Sequence, residues 1–120
     1  YILLRSDIEM SSGKAAAMAS HVSRLSLLSY IKTNPDMIDI FLEQNACGSI
    51  VVLDGKNEDT ILSVLEDVKN NSSIPYAKFS DSGHIHGKDF DGSSVLAGIA
   101  IGPASRDELR PFTKKFKVWR

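Results

Sequence analysis

The chemistry-bearing residues of this 120-residue chain fall in two short stretches. In the first, SGKAAAMASH (residues 12–21), Gly13 precedes Lys14, and Lys14, Met18 and His21 follow at i, i+4 and i+7. A helix would project these three from one face. A cation at a helix start adds to the free N–H groups and positive dipole end there, which makes an anion site. The plainer reading of Lys14 is a solvated first-turn lysine, which the helix dipole slightly disfavours. His21, on an alanine-rich face, reads as a hydrogen-bonded core histidine rather than a base.

The second stretch, SDSGHIHGKDFDGSS (residues 80–94), carries Asp81 just after a strand-like segment. A carboxylate at the carboxyl end of a strand sits where α/β sheets bind ligands, and it could orient or activate a water. Its plainer reading is a turn-former before Gly83. Asp81, His84 and His86 would be a metal set only with further ligands at standard spacing. Without them the histidines read as polar loop residues, and no metal is expected. Cys47 lacks a helix-start context and reads as an inert thiol. There is no G-x-G-x-x-G, and Gly13-Lys14 is followed by Ala15, so nucleotide fingerprints are absent.

Composition fits an ordinary globular domain: 42% hydrophobic, 24% charged, net charge -1. No apolar run is long enough to span a bilayer, and the single cysteine fits a reducing, cytoplasmic setting. The chain opens on Tyr1 rather than Met, which points to a removed leader. Residues 36–67 hold eight acidic side chains against Lys56, whereas residues 105–120 hold six basic ones against Asp107 and Glu108. That asymmetry would orient a polyanion, although a solvated final helix explains it as well.

Elements must position these residues. YILLR (1–5) reads as a buried strand. A helix follows over about 14–32, with Ala15, Met18, Val22, Leu25, Leu28 and Ile31 as its apolar stripe. A second helix over 36–44 offers Met37, Ile38, Ile40, Phe41 and Leu42 as a buried face. SIVVL (49–53) reads as a strand buried on both sides. A helix over 58–70, a strand over 75–80, a loop over 81–93, a strand over 94–101 and a capped helix over 105–116 complete the order β-α-α-β-α-β-β-α. The expectation is one α/β domain over residues 1–120, a three-layer sandwich with a four-stranded mixed sheet and helices on both faces.

These motifs together resemble the archaeal and eukaryotic type of peptidyl-tRNA hydrolase over nearly the whole chain. GKAAAMASH resembles that family's G-K-x-A-A-Q-x-x-H helix, SDSG its D-A-G turn, and Gly98-Ile99-Ala100-Ile101-Gly102-Pro103 its L-A-I-G-P strand end. The resemblance implies hydrolysis of the ester between a peptide and tRNA, no metal or organic cofactor, and a homodimer. It implies that Lys14 is the phosphate- or carbonyl-binding cation, Asp81 the carboxylate that positions the attacking water, and His21 a support residue. Met18 stands where the family has glutamine, Ile85-His86 where it has Thr-Gln, and Ala97 where it has threonine. The loop after Asp81 is longer by several residues. Ser82, His86, Ser93 and Ser94 are candidates to replace the missing partners, and Gly13, Gly83 and His84 complete the expected substrate-binding set. Two expectations follow: a working hydrolase, or an impaired relative that binds tRNA, another RNA or a protein.

Overall fold

The computed structural model describes residues 1–43 and 48–120, so the reading of Cys47 lies outside the described residues. The sheet is built from β1 (Ile2–Leu4), β2 (Val52–Asp54), β3 (Tyr76–Asp81) and a late strand, β6 (Val95–Ile101). Their order is β2-β1-β6-β3, with β1 parallel to β2 and antiparallel to β6, and β3 antiparallel to β6. This is the expected four-stranded mixed sheet. The pairing brings the ends of β1, β2 and β3 and the start of β6 to one rim.

Between β3 and β6 the expected loop folds instead into a ribbon, β4 (Ile85–His86) against β5 (Phe90–Asp91). Gly83 and Gly87, at φ +77° and +58°, make the tight turns that let so short a segment double back.

Helices cover both faces. On one, α3 (Glu58–Asn71) and α4 (Arg106–Thr113) bury Ile61, Val64, Leu65, Val68 and Leu109 against Leu3, Leu53, Ile99 and Ile101. Both helices start on side-chain caps: Asn57 accepts from the Thr60 N–H, and Ser105 and Glu108 form a reciprocal capping box. On the other face, α1 (Ser12–Thr33) sets Ala15, Met18 and Val22 on Ile2, Leu4, Ala97 and Ala100. Gly98 lets the strands approach: a Cβ there would stand 2.8 Å from the Leu3 carbonyl oxygen.

Four further expectations change. The buried stripe of α1 continues through Ser26, whose hydroxyl donates to the Gly102 carbonyl at 2.5 Å, and leaves Leu25 and Leu28 exposed. Residues Pro35–Met37 form a 3-10 turn before the short α2 (Ile38–Leu42), and neither buries a residue. β2 is an edge strand, and Ile50, within the expected strand, is 70% exposed. Finally, α4 ends at Thr113 because the chain turns to cover that edge. The Asp54 N–H donates to the Lys117 carbonyl and the Trp119 N–H to the Val52 carbonyl, both at 2.8 Å.

Candidate active site

Two periodicities converge at the rim of the α1 face. Along β3, Ala77, Phe79 and Asp81 alternate toward α1, while Tyr76, Lys78 and Ser80 are exposed. Along α1, Lys14 lies one turn before Met18, toward that rim. Ser11 caps the helix, accepting the Lys14 N–H at 3.2 Å. Ala15, buried against the sheet, keeps the first turn of the helix close to it, and the Lys14 ammonium reaches Asp81 Oδ2 at 2.5 Å. This pairing resolves the mismatch of a lysine at a positive helix end: its charge is met by a carboxylate.

Asp81 is 3% exposed. Burial pushes its carboxyl up, but hydrogen bonds from Lys14 and His84 and the charges of both outweigh burial, and the net shift is downward. The second carboxylate oxygen, Oδ1, is 3.0 Å from His84 Nδ1. Below the ammonium lies the buried ring of Phe90, its centroid 4.5 Å from Lys14 Nζ. Phe90 is not among the residues that the sequence singles out. A lone aromatic in a Gly- and Asp-rich stretch was the available signal.

The ribbon is fastened to the segment before α1. The Glu9 N–H donates to Asp89 Oδ2 at 2.6 Å, and the Lys88 N–H donates to Glu9 Oε2 at 3.2 Å. His86 Nε2 accepts the Ser11 N–H at 3.3 Å, so His86 steadies the helix start rather than facing Asp81. Ser93 donates to Asp91 through both its N–H and its hydroxyl and supplies nothing to Asp81. Ser94 is exposed beside Val95, the cross-strand partner of Asp81. Gly83 donates its N–H to the Gly92 carbonyl at 3.0 Å and closes the base of the ribbon. Gly13 is exposed in the first turn of α1, with open space around its Cα.

Two members of the expected set are not at the site surface. Met18 is buried in the same apolar cluster as Ala97, so those two departures fill the floor under α1. His21 is half-buried rather than in the core: it stacks on Phe79 with centroids 4.6 Å apart, and Arg24 Nη2 is 3.1 Å from its Nδ1. Ile85 is 84% exposed on the ribbon. Among the described residues no cluster of three metal-ligating side chains occurs.

The model of the family described as peptidyl-tRNA hydrolase PTH2 matches residues 1–119. The chain belongs to that family. Its relatives include a peptidyl-tRNA hydrolase of Methanococcus vannielii, 30% identical over 117 residues that cover 98% of this chain and 95% of the relative. A peptidyl-tRNA hydrolase of Saccharolobus islandicus is 25% identical over 98% of this chain and 95% of its own. The human mitochondrial peptidyl-tRNA hydrolase 2 is 28% identical over 86% of this chain and 55% of its own length. Among the described residues no helix is long and apolar enough to cross a membrane.

Proposed function

We infer that this chain hydrolyses the ester between a peptide, or an N-blocked amino acid, and tRNA, releasing the tRNA for reuse. The observation that carries the reading is the Lys14–Asp81 pair, buried at the strand-end rim of a chain in this family. Lys14 is the cation for the ester carbonyl or the adjoining phosphate. An ammonium near a developing oxyanion stabilises it more than the ground-state carbonyl, which lowers the barrier. Asp81, held ionised, sets the position of the attacking water, directly or through a group bonded to it. No metal or organic cofactor is required for this chemistry.

The rim also favours a polyanion at its far end. Lys114, Lys115 and Lys117 are exposed on the adjoining C-terminal segment. Phosphates of tRNA are the fitting partner for such a group, with binding that weakens as salt rises. The exposed Leu25, Leu28, Ile38, Ile40 and Leu42 support a homodimer that covers them, and the single cysteine supports a cytoplasmic setting as part of this proposal. Light scattering on the parent and on Leu28→Glu checks the dimer, which the charge should split.

The impaired-relative reading rests on Met18, Ile85 and Ala97. Two of these are core residues and the third is on the ribbon surface, so none removes a polar group from the Lys14–Asp81 pair. The deciding experiment is release of an N-blocked amino acid from its tRNA, run beside the unblocked aminoacyl-tRNA. Turnover of the blocked substrate is expected. Salt-sensitive tRNA binding by a folded protein without turnover would contradict the enzyme reading and restore the alternative.

A further inference from the structure

We propose that His84 is the general base of this reaction, taking the proton of the attacking water at Nε2 while Asp81 acts through it as a positioning residue. This rests on the hydrolase reading above and assigns the proton transfer within that site.

Asp81 is poorly placed to take the proton itself. Lys14 holds Oδ2 at 2.5 Å and His84 holds Oδ1 at 3.0 Å, and the residue is 3% exposed. A carboxylate kept ionised by two such partners is a weak base. His84 has the opposite environment. Its side chain is 69% exposed, at the mouth of the site. When Nδ1–H donates to the carboxylate, the tautomer is fixed and the Nε2 lone pair is left free for a water. The same division of labour occurs wherever a buried carboxylate orients an imidazole and stabilises the imidazolium that forms.

Charged and titratable groups on α1, in the segment before it and on the ribbon are bonded to other partners. Lys14 on α1 is paired with Asp81. In the segment before α1, Glu9 accepts from the Lys88 N–H. On the ribbon, Asp89 accepts from the Glu9 N–H, Asp91 accepts from Ser93, and His86 accepts from the Ser11 N–H. Among the described residues, Asp81 is the carboxylate bonded to His84.

The step balances. The water oxygen bonds to the ester carbonyl carbon as one water proton moves to His84 Nε2. The carbonyl π pair moves onto its oxygen, giving a tetrahedral oxyanion beside Lys14. Collapse reforms the carbonyl and breaks the bond to the ribose oxygen. His84 Nε2–H returns its proton to that leaving oxygen, and the peptide acid loses its own proton to solvent.

The test compares kcat and KM of the parent, His84→Gln and His84→Ala on N-blocked aminoacyl-tRNA across about pH 5 to 9. We expect kcat to fall about 10²- to 10⁴-fold with KM nearly unchanged. The acid limb of the parent profile should be absent in both variants, and added imidazole should restore turnover to His84→Ala. His84 is exposed, so circular dichroism of both variants should match the parent. Parent-like kcat with the acid limb intact in His84→Gln overturns the assignment. So does a loss confined to KM, or a loss of kcat that keeps the parent's pH profile and is not rescued by imidazole. A folded parent with no turnover overturns the hydrolase reading itself, and that result is separate from any variant.

Discussion

The two faces of the sheet are packed in different ways. The α3 and α4 face is filled by branched aliphatics that interdigitate: Leu3, Ile61, Val68, Ile99 and Ile101 are each almost wholly enclosed. The α1 face packs Ala15, Met18 and Val22 on Ile2, Leu4, Ala97 and Ala100, with three alanines at the contact where the buried residues of the other cluster include none, and so brings the helix closer to the sheet. The thick face supplies burial. The thin face supplies proximity, and through it an ammonium on the first turn of α1 reaches a carboxylate at the end of β3. A bulkier α1 floor would stabilise the fold as well and separate the pair.

That contrast can be broken from either side. The largest effect is expected at the thin face. Asp81→Asn should lower turnover by about 10²-fold or more while the protein remains folded, read by release from N-blocked aminoacyl-tRNA. On the thick face, Ile61→Ala should lose about 2–5 kcal/mol of stability in urea unfolding and leave kcat of the folded fraction unchanged. A parallel loss of kcat there would remove the distinction between the faces. Smaller again is Met18→Gln, which puts an amide where the floor is apolar. It should cost about 1–3 kcal/mol in the same assay, unless the amide finds a partner. The smallest effect concerns pH. The Asp81 carboxyl is held below its ordinary value in the fold, so its contribution to stability is present at neutral pH. That contribution is lost as pH falls below about 4 through the folded-state value. Asp81→Asn should therefore flatten part of the acid dependence of the urea midpoint.

Much of this organisation is legible in the sequence where one local signal dominates. Ser105 caps its helix as its spacing to Glu108 indicates, and α3 follows its amphipathic pattern closely. Lys14 and Asp81 are visible as candidates because a cation at a helix start and a carboxylate at a strand end are unusual placements. Their contact is not visible, since 67 residues separate them and the packing of α1 on β3 brings them together. Leu25 and Leu28 fit the helical period as well as Ser26 does. Whether a position on α1 is covered depends on where the sheet ends, which periodicity does not encode. The ribbon hides for a different reason. Its strands are two residues each, too short for an alternation to register, and its glycines read as loop. Phe90 and the distinct roles of His84 and His86 depend on that ribbon.

The most direct measurement is a double-mutant cycle on the buried pair: Lys14→Met, Asp81→Asn and both together, each assayed for turnover and for urea stability. If the pair is one catalytic unit, turnover is lost about equally in all three, because its members do not act additively. Stability should fall most in Lys14→Met, which strands a buried carboxylate at a cost of about 3–5 kcal/mol, and should largely return in the double variant. A double variant that is stable and turns over like the parent would contradict the account: the pair would be structural, and the hydrolytic site would lie elsewhere.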